Sequence, residues 1–332
     1  MISRRLLAVL ALAAVALFAC GRTPNDETQT GVIRFSILSP EPVANLDKVW
    51  SPIVADMETS TGLTVRAKFV TDGPELVAAL RHRDTDFGLF TNQAGLEAVR
   101  GAYGEVFARS APAEGSDGDH AILVVGVKSR VTLDRILKCD RSLTLGAGEA
   151  LSTAASLAPE TYLFAPRGLR PAKCFRQVRR ALQEANLQAL AAGQVDVVAT
   201  SAAHLALARR NIKPFAEVRE IWRSPPLPEN PLIWRKDLDP AIKEKLRQFF
   251  LTYGQGGATQ RAKLASAGVS GFLPADNSHL LPTREMEATH VWLEAEAGGD
   301  KAKIGDARRA LDAVTAERLE LEARTRAPAA AQ

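Results

Sequence analysis

Two adjacent hydroxyl residues, Ser152 and Thr153, stand where an apolar stretch gives way to a helical pattern. Residues 143–145 predict a strand, and Ala154 to Phe164 predict the helix that follows it. The first amides of a helix have no intrahelical acceptor and lie at the positive end of its dipole. Together with the two hydroxyls, these amides could hold a phosphate-like oxyanion. The alternative is that Ser152 and Thr153 only cap the helix, as these residue types commonly do.

The other ionisable residues show no pattern typical of a catalytic or metal site. The histidines are scattered without the spacing of metal ligands, at His82, His120, His204, His279 and His290. The sequence contains no nucleophile elbow with His and Asp partners and no Walker-type phosphate loop. We therefore expect a protein that binds a solute without catalysis and uses no cofactor and no metal.

The first segment is typical of an export signal. Arg4 and Arg5 precede the apolar stretch Leu6 to Phe18, which is too short for a comfortable membrane span. The run Leu17 to Cys20 fits a lipobox, which predicts cleavage before Cys20 and a lipid on that cysteine. An uncleaved anchor, a soluble secreted protein and a twin-arginine signal are the alternatives. We expect a periplasmic lipoprotein that touches the membrane through its lipid anchor only.

The charge balance argues against nucleic acid as a partner. Removing Arg4 and Arg5 from the 42 basic residues leaves 40, against 38 acidic residues. No run rich in lysine and arginine with interleaved aromatic residues appears, although phosphate-backbone binding normally requires one. The 332 residues, 46% of them hydrophobic, are instead enough for a sizeable core divided between two lobes.

Two cysteines follow the predicted lipidation site. Cys139 and Cys174 have no Cys-x-x-Cys spacing and no histidine partner that would suggest a metal site. Export would place them in an oxidising compartment, so we expect a disulfide between them. The alternative is a pair of buried thiols.

Apolar segments and helical patterns alternate along most of the chain. Val32 to Leu38 and Leu63 to Val70 predict strands on either side of a helix over Leu46 to Thr59, which is a βαβ beginning. A second run of the same kind follows residue 127. Residues 219–231 are extended and broken by prolines, so the chain is expected to cross back there. This alternation predicts an α/β fold with two lobes and a cleft between them.

The expected division of the chain follows from these patterns. It comprises a signal peptide over 1–19, a tether over 20–31, a first lobe over 32–127 plus 225–295, a second lobe over 128–224, and a C-terminal helical extension over 296–332. Two crossings between the lobes are typical of hinged binding proteins, in which a ligand closes the cleft.

Several stretches resemble one family, the PhnD-like substrate-binding proteins of phosphonate, phosphite and phosphate ABC importers. The resemblance is strongest from Ile221 to Asp239, where the family has a near-identical Trp-Arg-Lys-Asp-Leu-Asp run before a helix. Shorter matches include Asn45 to Trp50, Met57 to Val65, and Glu184 to Asn186. Together they cover roughly residues 32 to 290.

The resemblance implies a type II periplasmic-binding-protein fold, two hinged α/β lobes with a ligand cleft between them. It also implies capture of a phosphonate, phosphite, phosphate or related small phosphorus oxyanion for an ABC permease and its ATPase, without catalysis. The alternative interpretation is that the protein derives from a transporter subunit and now acts as an envelope sensor or partner-binding protein, with altered or lost ligand binding.

The chain departs from the family at the ligand positions. Where the family has Asp-Pro-Asn-Ser-Thr-Ser-Gly, this chain has Glu149 to Ala155, and where the family has Asp-Tyr-Ala, it has Asp72 to Pro74. The family's Trp-Tyr-Gly-Asn corresponds to Leu89 to Asn92, its His-Glu-Ala-Asn to Gln183 to Asn186, and its Asn-Asn pair to Thr200 and Ser201. A tyrosine hydroxyl, a serine hydroxyl and a histidine are thereby lost. Each hydrogen bond to a charged group contributes about 1.5 to 3 kcal/mol. We therefore expect a changed ligand or weakened binding.

The resemblance places the ligand contacts at Ser152, Thr153, Ala154, Ala155, Gln183, Glu184, Asp72, Phe90, Thr91, Asn92 and Thr200. Several have a simpler interpretation. Gln183 could be a surface polar residue, Phe90 a core residue rather than a lid, and Thr91 and Asn92 could face away from the cleft. Glu184 and Asp196 could bind an ammonium group as a pair or serve as structural acids.

Overall fold

The computed structural model describes residues 31–38, 43–113, 118–150, 152–211 and 217–326. The predicted signal peptide, Cys20 and all of the tether except residue 31 lie outside these residues, as does 327–332. The strands are β1 (Val32–Leu38), β2 (Thr64–Val70), β3 (Phe87–Leu89), β4 (Gly104–Pro112), β5 (His120–Gly126), β6 (Thr144–Ala147), β7 (Gln177–Arg180), β8 (Val197–Ser201), β9 (Val218–Pro226), β10 (Pro231–Arg235) and β11 (Val269–Pro274).

Helices alternate with these strands, and two more follow the last strand. They are α1 (Val43–Thr61), α2 (Gly73–Arg81), α3 (Asn92–Gly101), α4 (Leu133–Leu137), α5 (Pro171–Cys174), α6 (Gln183–Ala191), α7 (Ala202–Asn211), α8 (Pro240–Thr252), α9 (Ala258–Ser266), α10 (Leu281–Gly298) and α11 (Lys301–Arg326). A π-helical segment, Thr153–Leu157 and Pro159–Phe164, follows β6. None of the described helices is long and apolar enough to cross a membrane.

The strands form two separate sheets. The first has the order β11-β4-β10-β3-β1-β2 and the second the order β7-β6-β8-β5-β9. In the first sheet β1 pairs in parallel with β2 and β3, whereas β10 is antiparallel to β3 and β4. The chain passes from the first sheet to the second between β4 and β5, and returns between β9 and β10. The predicted α/β fold with two crossings is confirmed.

The expected division after residue 127 is wrong for one strand. β5 pairs with β8 and β9, so it belongs to the second sheet rather than to the first. Its apolar side chains at Ala121 to Val125 are all fully buried, and such a run carries no mark of which sheet it joins. The second crossing, just after Pro226, falls close to its expected place.

An aromatic cluster fills the core between the first sheet and helix α8. Phe35 and Phe87 stack on neighbouring parallel strands with their ring centroids 4.4 Å apart. Phe250 of α8 meets both rings edge-on, at 6.1 Å and 6.0 Å. Asp239 caps that helix by accepting hydrogen bonds from the amides of Ala241 and Ile242. These contacts pack α8 against the first sheet.

The disulfide between Cys139 and Cys174 is present, as predicted. It joins the turn after α4 to the end of α5, and Cys174 is buried in the core of the second sheet. A bridge across this sequence separation of 35 residues limits the unfolded chain and so stabilises the folded second sheet.

Candidate ligand-binding site

A cavity of about 520 Å³ lies between the two sheets. Residues from both sides line it. Thr91 and Asn92, at the start of α3, lie on the side of the first sheet, and Ser152 and Gln183 lie on the side of the second sheet. The segment that returns from β9 to β10 contributes Pro228 to Asn230. The cavity therefore occupies the cleft that the two crossings create.

Four helix starts converge on this cavity. The π-helical segment presents Ser152, Thr153 and Ala154, while α3 begins with Asn92 after its cap Thr91. The third is α7, whose first turn supplies Ala203 and His204, and the fourth is α6, which begins at Gln183. Because the positive ends of helix dipoles point at the same space, the cavity favours an anion.

The turn before the π-helical segment is held closely against β6. The carbonyl of Ser152 accepts hydrogen bonds from the amides of both Ser156 and Leu157, at 3.0 Å each, which gives the wide first turn. Gly148 donates its amide to the carbonyl of Ala155 at 3.1 Å. The Ser152 side chain forms no capping hydrogen bond, so the simple capping interpretation does not describe it. π-helical turns of this kind are frequent at functional sites.

Arg180 supports this turn from the neighbouring strand. Its Nη1 donates to the carbonyl of Gly148 at 3.0 Å and to Oγ of Ser156 at 3.2 Å. Ser156 in turn donates its hydroxyl to the Gly148 carbonyl at 3.0 Å. The cationic side chain thus stands behind the turn rather than among the residues that line the cavity.

Gln183 lies at the cavity and is fixed from behind. Its Oε1 accepts a hydrogen bond from the Thr200 hydroxyl at 2.6 Å and another from the Ser201 amide at 3.0 Å. Thr200 is fully buried, whereas Ser201 lines the cavity. The two predicted positions 183 and 200 are therefore in contact, with Thr200 in a supporting place.

The side-chain amide of Asn92 has one polar atom with a hydrogen-bond partner and one without a partner among the described residues. Its Nδ2 donates to the carbonyl of Pro228 at 2.6 Å, which ties α3 to the returning crossing. Its Oδ1 and the Oε1 of Gln93 are buried and have no hydrogen-bond partner among the described residues. Both residues line the cavity.

Two carboxylates complete this side of the cavity. Asp119 lies on the first crossing, and its Oδ1 accepts hydrogen bonds from the amides of His120 at 2.9 Å and Ala203 at 3.0 Å. Glu229 lies on the second crossing. Burial, followed by repulsion from Asp119, raises the pKa of the Glu229 carboxyl. The charge at this end opposes the positive helix starts.

Five of the predicted site residues do not line the cavity. Asp72 is exposed before α2, and Glu184 is exposed and bonded to Gln188. Phe90 is fully buried among Leu38, Leu76 and other core residues, as the simpler interpretation holds. Ala155 is packed beneath the turn, and Thr200 lies behind Gln183. Asp196 bonds the amide and hydroxyl of Thr144, which is a structural role.

The remaining lining residues are not evident from the sequence. They include Gln93, Ser110, Asp119, His204, Glu229 and Asn230. Most of them lie on the crossings or in the first turn of a helix, and their positions depend on how the two sheets face each other. The position of Asp119 just before an apolar strand is the one local signal that could have marked it.

Comparisons with known proteins agree with this arrangement. Residues 35–280 match the family model described as ABC transporter, phosphonate, periplasmic substrate-binding protein. The chain is 32% identical over 262 residues to the phosphonates-binding periplasmic protein of Escherichia coli (strain K12), covering 78% of this chain and 77% of that protein.

Solved structures show the same fold. A binding protein component of a Pseudomonas aeruginosa ABC phosphonate transporter superposes with a TM-score of 0.74 at 33% identity, covering 90% of this chain and 98% of that one. A Prochlorococcus marinus (MIT 9301) protein in complex with methylphosphonate has a TM-score of 0.65 at 17% identity, covering 77% and 97% of the two chains.

Proposed function

Because the chain belongs to the family of periplasmic substrate-binding proteins of phosphonate ABC transporters, we propose that it captures a phosphonate or a related small phosphorus oxyanion in the cavity between its sheets. The convergence of four helix starts on that cavity is the observation that carries the proposal. The bound solute is passed to an ABC permease and its ATPase.

The oxyanion is held at the start of the π-helical segment. The hydroxyls of Ser152 and Thr153 and the first amides of the segment supply donors, and Arg180 stabilises the turn from behind. A doubly charged phosphonate requires such paired donors, because its desolvation is otherwise too costly. Gln183, fixed by Thr200 and Ser201, borders the same space.

The other side of the cavity favours a ligand that brings its own donors. Oδ1 of Asn92 and Oε1 of Gln93 are acceptors, and Asp119 and Glu229 add negative charge. A protonated phosphonate oxygen or an amino group would satisfy them. Methylphosphonate and 2-aminoethylphosphonate, which share the phosphonate and differ in the amino group, are therefore the informative pair of probes.

Isothermal titration calorimetry with these two probes tests the proposal. Ser152→Ala combined with Thr153→Val should weaken binding by at least about tenfold, the loss expected for a charge-assisted hydrogen bond. Ser51→Ala with Thr59→Val makes the same two changes at exposed positions of α1 and should leave affinity unchanged. If neither probe binds at millimolar concentration, the proposal is rejected and a sensor or partner-binding role is favoured.

A lipid anchor at Cys20 is part of the proposal. The lipobox from Leu17 to Cys20 supports it. Expressed with its full signal, the protein should carry diacylglycerol on Cys20 and partition into detergent, whereas Cys20→Ser should remain in the aqueous phase. Intact-mass measurement of the mature protein decides this, since an unmodified N-terminus on the native sequence contradicts the anchor.

A further inference from the structure

A second cavity, of about 340 Å³, lies at the opposite end of the first sheet. β10 begins beside the cleft at Pro231 and ends at Arg235, which lines this second cavity. The ends of α2 and α3 form its other walls, through Arg81, Arg83 and Tyr103. We call this cavity the arginine pocket. It shares no lining residue with the cleft.

Two residues of the arginine pocket adopt a backbone conformation that normally favours glycine. Arg83 follows the end of α2 with φ of 63°, and Tyr103 follows the end of α3 with φ of 61°. Glycine is the usual residue at this position after a helix, because a side chain there is strained. Both side chains line the arginine pocket.

Guanidinium groups outnumber carboxylates among the residues that line the arginine pocket. Asp237 meets Arg83 at 2.6 Å and Nε of Arg235 at 3.4 Å. Arg235 is almost fully buried, and its Nη2 also lies 3.3 Å from Asp86. Asp86 accepts two further hydrogen bonds from the Arg34 guanidinium, so its charge is already matched.

Arg81 adds a third guanidinium. Its Nε donates to the carbonyl of Gly101, another lining residue, at 3.2 Å. The pocket is therefore lined by three guanidinium groups and by one carboxylate, that of Asp237.

Tyr103 is the feature that ion pairing alone does not explain. The residue is 73% exposed, and its φ is positive. Lys236 places its ammonium 5.7 Å from the centre of the ring, which adds another positive charge at the edge of the pocket. An exposed aromatic face beside several guanidiniums can support the organic part of an anionic ligand.

We propose that the arginine pocket is a second anion site that binds a phosphate group, with Arg81 and Arg83 as the charged contacts and Tyr103 as a wall. Planar guanidiniums match the geometry of phosphate oxygens, and the ligand is either free inorganic phosphate or a phosphate ester. The site is separate from the cleft, so this inference does not rest on the proposed function.

Fluorine NMR of protein labelled with 3-fluorotyrosine tests the proposal. The chain has three tyrosines, and Tyr103→Phe assigns the resonance of Tyr103. Titration with inorganic phosphate or phenyl phosphate should shift that resonance in a saturable way. It should do so equally in the cleft variant, Ser152→Ala with Thr153→Val. Tighter binding of phenyl phosphate would identify an ester as the ligand, and equal binding would identify free phosphate.

Matched variants decide the role of the arginines. Arg81→Gln with Arg83→Gln should weaken the response by at least about tenfold, and Arg81→Lys with Arg83→Lys should weaken it less. Arg66→Gln with Arg261→Gln removes the same charge at exposed positions and should change nothing. The proposal is overturned if Tyr103 does not respond to millimolar phosphate, if the Gln pair binds like the native protein, or if the cleft variant abolishes the response.

Discussion

Gln183 joins the cavity to the buried interior of the second sheet. One oxygen, Oε1, accepts both the Thr200 hydroxyl and the Ser201 amide, and both donors are buried. A histidine stands at this position in the family that the sequence resembles. An amide oxygen serves here as the acceptor for the two donors and needs no particular protonation state.

Gln183→Ala should lower the free energy of unfolding by about 1 to 3 kcal/mol, because it leaves two buried donors without an acceptor. Urea denaturation followed by circular dichroism measures this change. Gln188→Ala, on the exposed face of the same helix, should cost little beyond its weak contact with Glu184. Equal losses in the two variants would show that the hydrogen bonds of Gln183 contribute nothing specific.

At the scale of elements, the turn between β6 and the π-helical segment depends on Gly148. A Cβ at this position would lie 2.8 Å from the Cβ atoms of both Ala155 and Ser152, closer than ordinary packing allows. The turn can therefore approach β6 this closely only because residue 148 has no side chain.

Gly148→Ala should displace the π-helical segment and weaken methylphosphonate binding by about tenfold or more, the effect of misplacing one charge-assisted contact. It should also destabilise the fold by about 1 to 3 kcal/mol through overpacking. Gly126→Ala is the control, since a Cβ there meets nothing within 4 Å. Titration calorimetry and urea denaturation measure the two effects, and unchanged affinity in Gly148→Ala would remove the turn from the site.

Helix α10 connects elements of the two sheets. Glu287 contacts Arg100 of α3 at 2.6 Å, and His290 contacts Glu160 of the π-helical segment at 2.7 Å. The hydrogen bond to Glu160 raises the pKa of His290, against the opposing effect of its burial. Glu294 raises that pKa further and Arg180 lowers it.

His290→Gln should therefore destabilise the protein more in acid than in base. A raised pKa in the folded state gives stabilisation that is complete below the unfolded value of about 6.5 and is lost as the pH rises through the folded value. Denaturation curves near pH 6 and pH 9 measure the difference from the native protein. His82→Gln changes an exposed histidine and serves as control. A difference that is the same at both pH values contradicts the assigned ion pair.

The sequence predicts those elements whose pattern is local. β1, α1 and β2 are found within three residues of their predicted ends, since alternating burial and helical spacing are visible in any short window. β4, β10, β11 and α10 are not predicted, because their strand pairing and packing depend on distant residues. The site divides in the same way: the hydroxyls before a helix are visible, whereas Asp119 and Glu229 reach the cavity only through the crossings.

At the scale of the whole molecule, the two crossings touch each other beside the cavity. The amide of Leu227 donates to the carbonyl of Asp119 at 2.8 Å, and the amide of Ser110 donates to the carbonyl of Asn230 at 2.9 Å. His279 donates through Nε2 to the carbonyl of Glu229 at 2.7 Å, so the second crossing is also tied to the segment before α10. These contacts fix the two crossings beside each other where the chain passes between the sheets.

Glu229→Gln should stabilise the protein at about pH 8 and lose this advantage as the pH falls towards 4. The raised pKa means that ionised Glu229 is less favourable in the folded state, so stability falls as the pH rises from the unfolded value through the folded one. Glutamine keeps an oxygen that can accept hydrogen bonds, but it carries no charge to repel Asp119. Urea denaturation across this pH range measures the effect, with Glu75→Gln as the exposed control. Destabilisation at pH 8 would show that ionised Glu229 holds the crossings together, and that its charge is an attractive part of the hinge.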